Sequence, residues 1–356
     1  SSGSPQWTAG GVGLCLANSN QYNPKIVSDG AGGAIVAWED TRTGTYDIYA
    51  RRVNASGTPQ WTADGVGLCT ASSNQILPSI VSDGAGGAIV AWSDYRLGDA
   101  DIYAGSINAS GTALWTTNGV ALCGLPNHQL NPTLAPDGAG GAIVSWKDAR
   151  SVTQYDIYAH RIDALGNLLW PANGIGVCIL ASHEFEPMIV SDGAGGAVIV
   201  WHDQRNDSGD IFASRLDPSG IRLWGDNGMP LCTAPGQQAY QALASNGAGG
   251  AIVMVAIMMT TDTFRSNLTV SRWRDAVWLA WLAVPLYWVH QLEEYSLPVI
   301  GLPYSLPDMV CGKFDLPPYP ACPIPLSFYP LVNISLMWFG APLAAYICRR
   351  NVLIGL

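Results

Sequence analysis

The chain has 356 residues, of which 12% are charged and 40 are glycines. This length exceeds one average domain, so two units are expected. Residues 1–254 carry 11 Lys and Arg against 21 Asp and Glu, whereas residues 255–356 carry six of each, so the whole net charge of −10 lies in the first part. Such an acidic excess argues against nucleic acid as a partner of that part.

The first 15 residues do not contain a charged region followed by an apolar run, which is the pattern of a targeting segment. They match Ala55–Cys69 almost residue for residue. We therefore expect the chain to begin within the closing part of a repeat whose start lies upstream.

A unit of about 54 residues recurs along residues 1–254, and such a period indicates a repeat architecture. Tryptophans follow one another at intervals of 54, 54, 55 and 54 residues: Trp7, Trp61, Trp115, Trp170 and Trp224. A cysteine follows each of them eight residues later: Cys15, Cys69, Cys123, Cys178 and Cys232.

Each unit predicts four β-strands. In the first complete unit, the turn Asp29–Gly33 supplies glycines that tolerate a positive φ, and the apolar run Ala34–Trp38 is typical of a strand buried on both faces. Asp47–Ala50 begins a third strand, and the turn Asn54–Gly57 leads into a fourth, predicted to carry Trp61. Four strands per unit favour an incomplete all-β propeller with blades of about 54 residues. A β-solenoid is the alternative, although its coils are usually shorter.

Each complete unit also contains the pattern Trp-x-Asp-x-Arg. A catalytic or ligand-binding site is normally needed once, whereas this pattern occurs four times at equivalent positions, so we interpret it as structural. The residues are Trp38, Asp40 and Arg42; Trp92, Asp94 and Arg96; Trp146, Asp148 and Arg150; and Trp201, Asp203 and Arg205.

The repeat cysteines are expected to be small buried hydrophobic residues. Equivalent positions on neighbouring blades should lie beyond the ~7 Å Cα separation that a disulfide allows. The four histidines of this part show no shared spacing in our interpretation and are expected to be surface residues rather than ligands: His128, His160, His183 and His202.

Residues 1–254 resemble the repeat arrays of secreted bacterial propeller proteins, with the recurring unit DGAGGAIVAW…DIYA…RVNASG…W. The resemblance implies a secreted or cell-surface protein with an unknown protein or glycan ligand. The turn motif of sialidase-like propellers, Ser-x-Asp-x-Gly-x-x-Trp, does not occur, so no glycosidase chemistry is transferred from it.

The repeat stops within its fifth copy, where Val255 occupies the position expected for the tryptophan. Natural domain boundaries fall in exposed linkers rather than within a blade strand. We therefore treat residues 255–271 as a junction and hypothesise an artificial or recent fusion.

Residues 272–356 predict a membrane-inserted helical hairpin. The first apolar run, 276–289, spans only ~21 Å as a helix, so the helix must continue to about 302 (about 276–302) to cross a bilayer, whereas the second, about 325–348, is long enough by itself. Both helices imply membrane lipid as a partner. Arginines before the first stretch and after the second place both ends of the hairpin in the cytoplasm. The loop between them would face outward, where Cys311 and Cys322 could form a disulfide.

His290, Glu293 and Glu294 share one face of the first predicted helix. This cluster could hold a divalent metal ion or relay a proton, or it could be a polar helix end paired with arginine. A His-x-x-Glu-Glu motif after a Trp-rich apolar helix resembles the HXXEE family of small bacterial membrane proteins, whose biochemical role is not established. That resemblance covers about residues 260–356 and adds Asn333 as an intramembrane polar partner.

Two classes of function remain open. We favour a non-enzymatic binding or scaffold propeller attached to the HXXEE-like membrane segment, because equivalent residues occur in all repeats and no unique acid–base pair is evident. The whole could also be a fusion or truncation artefact. The alternative is an enzyme: a propeller hydrolase whose site lies in missing blades, or a membrane metal-binding enzyme that uses the His-x-x-Glu-Glu cluster.

Overall fold

The computed structural model describes residues 7–254, except for 9, 207–208, 234–237, 239–240 and 247–249. All of these residues belong to one compact unit, Pro5–Ala256. The predicted junction and membrane hairpin lie outside the described residues, as do His290, Glu293, Glu294 and Asn333. In the part that is described, no helix is long and apolar enough to span a membrane.

The described residues form four four-stranded antiparallel sheets and one two-stranded sheet. Sheet 1 contains β1 (Gln21–Ser28), β2 (Ala34–Asp40), β3 (Asp47–Val53) and β4 (Val66–Cys69). Sheet 2 contains β5 (Gln75–Ser82), β6 (Ala88–Asp94), β7 (Asp101–Ile107) and β8 (Val120–Cys123). Sheet 3 contains β9 (Gln129–Pro136), β10 (Ala142–Asp148), β11 (Asp156–Ile162) and β12 (Ile175–Cys178). Sheet 4 contains β13 (Glu184–Ser191), β14 (Ala197–Asp203), β15 (Asp210–Leu216) and β16 (Met229–Cys232), and sheet 5 contains β17 (Ala242–Ser245) and β18 (Ala251–Met254).

Within each complete sheet the strands follow one another in chain order. A tight turn joins the first two strands, and in sheet 1 Oδ1 of Asp29 accepts the backbone N–H groups of Ala31 and Gly33 at 2.9 and 2.7 Å. Gly30 and Gly32 have φ values of 73° and 82°, in the left-handed region that favours glycine. The turn chemistry that the sequence predicts is therefore present.

Successive sheets pack face to face. One face of sheet 1 buries Ile35, Ala37 and Ile48 against Val90 and Trp92 of sheet 2. The first strands β1, β5, β9, β13 and β17 neighbour one another. This arrangement of four-stranded antiparallel blades with adjacent first strands is propeller-like, as the repeat predicts.

The repeat tryptophans join neighbouring blades, and their predicted place in the fourth strand is wrong. Trp61 precedes β4 and has a φ of 63°. Its indole N–H donates to the carbonyl oxygen of Ala109, which lies in a turn of sheet 2, at 3.0 Å. Trp7, Trp115 and Trp170 make the equivalent bond to the next repeat at 3.0–3.1 Å. These four tryptophans lie outside the strands and each binds the following repeat.

Candidate catalytic site between sheets 3 and 4

The Trp-x-Asp-x-Arg residues make the same contacts in all four sheets. Nε1 of each tryptophan donates to the aspartate at 2.7–2.9 Å. Nε of each arginine donates to the same aspartate at 2.8–2.9 Å. The guanidinium also lies 3.6–4.0 Å from the centre of a Tyr or Phe ring. Each motif thus uses its polar groups within the protein.

The arginines also link each sheet to the one before it. Nη2 of Arg96 lies 3.1 Å from Sγ of Cys69 in sheet 1 and donates to the carbonyl oxygen of Asn118 in its own sheet at 2.7 Å. The thiol of Cys69 in turn donates to Oδ2 of Asp94 at 3.7 Å. The five repeat cysteines are free thiols. Besides filling space, four of them take part in this contact between blades.

Two pKa values reflect this environment. Burial alone would raise the pKa of Asp40, but hydrogen bonds from Arg42 and Trp38 outweigh burial and lower it to about 2. Burial raises the pKa of Cys69 to about 12, so its thiol stays protonated. These groups are therefore fixed in one ionisation state at neutral pH.

The expectation for the histidines is wrong in two respects. His160 and His202 are buried. His128 and His183 occupy equivalent positions. Nδ1 of His128 accepts the backbone N–H of Ala100 at 3.1 Å, and Nδ1 of His183 accepts that of Tyr155 at 3.2 Å. Each of these partners precedes the third strand of the preceding sheet. The two histidines are 55 residues apart rather than 54, because one repeat is a residue longer than the others.

Glu184 is the acid that the repeat analysis missed. It begins β13 at a position where the other repeats have a buried or half-buried glutamine. Its backbone N–H donates to the carbonyl oxygen of Tyr155 at 2.8 Å, in the same way that Gln129 donates to Ala100. The equivalent residues are Gln21, Gln75, Gln129 and Gln238. Aligning the repeats column by column reveals this exchange.

The carboxyl group of Glu184 lies in a different hydrogen-bond environment from these amides. Nε2 of Gln129 donates to the carbonyl oxygen of Asn127 at 2.9 Å. A carboxylate has no N–H to donate, and Oε1 of Glu184 instead accepts a hydrogen bond from the hydroxyl of Ser182 at 2.7 Å. Oε2 is buried and makes no hydrogen bond with the described residues. Oε1 of Gln75 and of Gln129 is likewise buried without a hydrogen bond to the described residues, so Glu184 differs from these amides in that its unpartnered oxygen belongs to an ionisable group.

Two carboxyl groups at this junction have separated pKa values. Burial raises the pKa of Glu184 to about 8, and the charges of Asp203 and Asp156 add to the effect. Burial also raises the pKa of Asp156, to about 6. At neutral pH Glu184 is mostly protonated while Asp156 is mostly ionised. Such a pair is the arrangement expected of a general acid and a general base.

The loop beside Glu184 is the second feature in which one repeat departs from the others. Residues 149–155, between β10 and β11, are one residue longer than the corresponding loops 41–46, 95–100 and 204–209. Nε2 of Gln154 donates to the carbonyl oxygen of Leu180 at 2.9 Å, which ties this loop to the chain just before β13. Both departures from the repeat thus meet at the junction of sheets 3 and 4.

A metal ion does not fit this junction. Among the described residues, donor atoms of Cys178, Glu184 and Asp203 lie within 4.8 Å of one another. However, Nη2 of Arg205 already donates to Oδ2 of Asp203 at 2.6 Å and lies 3.3 Å from Sγ of Cys178. A guanidinium in the place of a cation repels a divalent ion and satisfies two of the three ligands. The cluster is better suited to proton transfer.

No protein-family model and no curated protein matches the chain. Solved structures do, at low similarity. An endo-arabinase from Bacteroides thetaiotaomicron is 13% identical over 68% of this chain and 91% of its own, with a TM-score of 0.38. A GH93 α-L-arabinofuranosidase of Fusarium graminearum, solved with arabinobiose, is 10% identical over 68% and 78%, with a TM-score of 0.39. A protein of unknown function from Dyadobacter fermentans is 10% identical over 66% and 74%, with a TM-score of 0.43.

The position of Glu184 corrects the preferred interpretation of the sequence. The non-enzymatic scaffold rests on equivalent residues in all repeats and no unique acid–base pair, and this premise is wrong because Glu184 occurs at a position where four other repeats have glutamine. Several of the solved structures that resemble the chain are glycoside hydrolases. None of the comparisons supports the HXXEE resemblance or membrane lipid as a partner, so those inferences stay predictions from the sequence.

Proposed function

We propose that the repeat array is a glycan hydrolase in which Glu184 is the general acid. The observation that carries the proposal is a buried carboxyl group, largely protonated at neutral pH, that replaces the glutamine of the other repeats. A catalytic acid is needed once, and this substitution occurs in one repeat. Glycoside hydrolysis generally requires one protonated and one ionised carboxyl group, and Glu184 and Asp156 supply these two states.

The proposed reaction transfers two protons. The carboxyl of Glu184 donates its proton to the glycosidic oxygen as the bond from the anomeric carbon to that oxygen breaks. Water adds to the anomeric carbon and gives its proton to the carboxylate of Asp156. Exchange with solvent then returns both groups to their starting states. Asp203 lies beside them, and Arg205 and Trp201 donate hydrogen bonds to its two oxygens.

Substrate reaches Glu184 only when the junction opens, because its side chain is fully buried. The loop 149–155 is the element whose movement would uncover it. Ser151 and Gln154 hold the loop through hydrogen bonds of 3.0 and 2.9 Å to carbonyl oxygens of Gln154 and Leu180. Lids of this kind are common where a reaction must be kept from bulk water. A polymeric substrate that cannot cross a membrane also implies that the array works outside the cell.

The test measures the reducing ends that the full chain releases from each of a panel of neutral polysaccharides. Arabinan comes first, because the names of two of the similar structures refer to arabinose-containing substrates. Glu184→Gln should lower the rate by about 100-fold or more. It should leave the fold intact, because glutamine is the residue of the other repeats at this position.

Gln129→Glu is the matched control. It places an acid at the equivalent position of the junction between sheets 2 and 3, where the loop 95–100 has the usual length, and should leave the rate unchanged. Undiminished hydrolysis by Glu184→Gln would remove Glu184 from the mechanism. Failure of the wild-type chain to release reducing ends from any member of the panel would remove the proposed activity.

A further inference from the structure

A row of partly exposed rings crosses sheets 2, 3 and 4 beside Glu184. It consists of Tyr95, His128, Tyr155, His183 and Phe185, and is called the aromatic strip below. The ring centres of Tyr95 and His128 are 6.0 Å apart, and those of Tyr155 and His183 are 6.1 Å apart. Phe185 lies 5.9 Å from Tyr155 and stacks on His183 at 5.4 Å. The rings therefore form two groups, Tyr95 with His128 and Tyr155 with His183 and Phe185. Tyr155 is close enough to Tyr95 to add to the rise in the pKa of Tyr95 that burial causes.

The fold does not require these rings. Sheet 1 has Tyr46 and Tyr22 at two of the equivalent positions, but sheets of the same geometry have non-aromatic residues at the others, so blade packing does not require the strip. The counterparts are Thr41, Ala149 and Gln204 for Tyr95; Asn20 and Asn74 for the two histidines; Tyr46, Ala100 and Gly209 for Tyr155; and Tyr22, Ile76 and Leu130 for Phe185. Large partly exposed rings that the scaffold does not need indicate a binding surface.

The two histidines add hydrogen-bond donors to this surface. Nδ1 of each accepts a backbone N–H, so in the neutral imidazole Nε2 carries the hydrogen. Asn74 fulfils the same backbone role in sheet 2, where its Oδ1 accepts the N–H of Tyr46 at 3.2 Å. A histidine is therefore not needed for the backbone contact, and its ring and its Nε2–H are what distinguish these two positions.

Charge at the strip is balanced. Nζ of Lys147 lies 4.8 Å from the centre of the Tyr155 ring, and Glu186 interacts electrostatically with the same ammonium group. A surface of apolar faces with a few N–H donors and little net charge matches a neutral sugar, whose ring has a C–H face and a rim of hydroxyl groups. It matches a charged ligand poorly.

We propose that the aromatic strip binds a neutral oligosaccharide along its length, with one end of the sugar chain at Glu184 and the other near Tyr95. Several sugar units would then be held at once, so the substrate is a polymer or a long oligomer rather than a disaccharide. The position of the cleaved bond rests on the proposed function, whereas binding along the strip does not.

The test is calorimetric titration of the full chain carrying Glu184→Gln, so that the ligand is not consumed. The probes are arabino-oligosaccharides and cello-oligosaccharides from disaccharide to hexasaccharide. Affinity should rise with chain length for one series. Tyr155→Ala and His183→Asn, each of which introduces the residue of another repeat, should each weaken binding about tenfold. Tyr46→Ala is the same chemical change at the equivalent position of sheet 1 and should leave affinity unchanged.

The outcomes separate this inference from the catalytic one. Binding along the strip is supported if affinity rises with chain length, Tyr155→Ala weakens it and Tyr46→Ala does not. This holds even if the wild-type chain hydrolyses no substrate. Equal effects of these two substitutions, or no saturable binding of either series, overturn the strip. If Tyr155→Ala hydrolyses the substrate at the wild-type rate, the proposed binding along the strip is overturned as well, whereas the role of Glu184 is unaffected. Thermal unfolding of each variant confirms that the fold is retained.

Discussion

Ser182 donates a hydrogen bond of 2.7 Å to Oε1 of Glu184, at a place in the blade where the other repeats have a glutamine that donates to the backbone. The exchange replaces an amide with an acid in a buried position beside two further acids, Asp203 and Asp156. A titratable group has thereby been introduced into one of several otherwise equivalent junctions. Its consequences for stability can be measured apart from any activity.

The first prediction concerns the pH dependence of stability. The pKa of Glu184 rises from its usual 4.5 to about 8 on folding. Between these values the unfolded chain has lost the proton that the folded chain retains. This contribution to stability is therefore fully present below about pH 4.5 and is lost as the pH rises towards 8, by about 1.4 kcal/mol per pH unit. Glu184→Gln should remove this slope from urea unfolding measured between pH 5 and 8.

Gln129→Glu should introduce a similar slope, because it places the same acid in the equivalent junction. Parallel pH profiles for the wild-type chain and Glu184→Gln would show that the carboxyl group titrates normally, and would also undermine its proposed role as an acid.

The second prediction concerns the contact between blades made by the Trp-x-Asp-x-Arg motif. Asp94 is fully buried, and its side chain is paired with Arg96. Asp94→Asn leaves the guanidinium without a counter-charge and should lower the free energy of unfolding by about 3 kcal/mol. Asp226→Asn is the control, because Asp226 is 94% exposed and pairs with Arg222 at 3.6 Å. Exposed pairs contribute about 0–1 kcal/mol. Similar losses for both variants in urea unfolding would contradict the prediction.

The third prediction is a stabilising substitution in sheet 2. In the other complete sheets an arginine binds the aspartate of the tight turn at 2.9 Å: Arg52 with Asp29, Arg161 with Asp137 and Arg215 with Asp192. Sheet 2 has Ser106 at the arginine position, opposite Asp83. Ser106→Arg should therefore raise the free energy of unfolding by about 1 kcal/mol. Ser106→Lys lacks the planar fork and should gain less. A loss of stability with Ser106→Arg would show that sheet 2 has no space for the guanidinium.

The fourth prediction concerns the longer loop. Val152 is 77% exposed and has a φ of 71°, a conformation that a β-branched side chain adopts at a cost. Asn118, Asn127 and Asn173 adopt similar values elsewhere in the repeats. Val152→Asn should raise the thermal midpoint, by an amount that corresponds to about 1 kcal/mol. Val152→Ile keeps the branched side chain and should not change it. No difference between the two variants would mean that the backbone of this loop relaxes freely.

The sequence predicted the local structure of the array well. Turn glycines, apolar runs and the 54-residue period depend on residues that are near one another in the chain, and the structure confirms the four antiparallel strands in each of sheets 1 to 4. The position of Trp61 was wrong because its partner Ala109 belongs to the next repeat. A single unit does not contain the contact that determines where its tryptophan lies.

The candidate site was partly visible in the sequence and was missed there. Glu184 and the longer loop are both departures from the repeat and can be found by alignment of its units. Their proximity cannot, because the loop belongs to sheet 3 and the acid to sheet 4. The aromatic strip has the same origin, since Tyr95 and Phe185 come from sheets 2 and 4.

The sequence by itself determined the repeat, its four strands and its turns, because short-range preferences and hydrophobic patterning fix these features. Only the tertiary structure decided which side chains become buried at the junctions between sheets. Burial by a neighbouring sheet raises the pKa of Glu184 to about 8, and the stacking of three sheets brings the rings of the aromatic strip together. Both effects depend on removal of water by residues distant in the chain, and so they appear only when the blades pack.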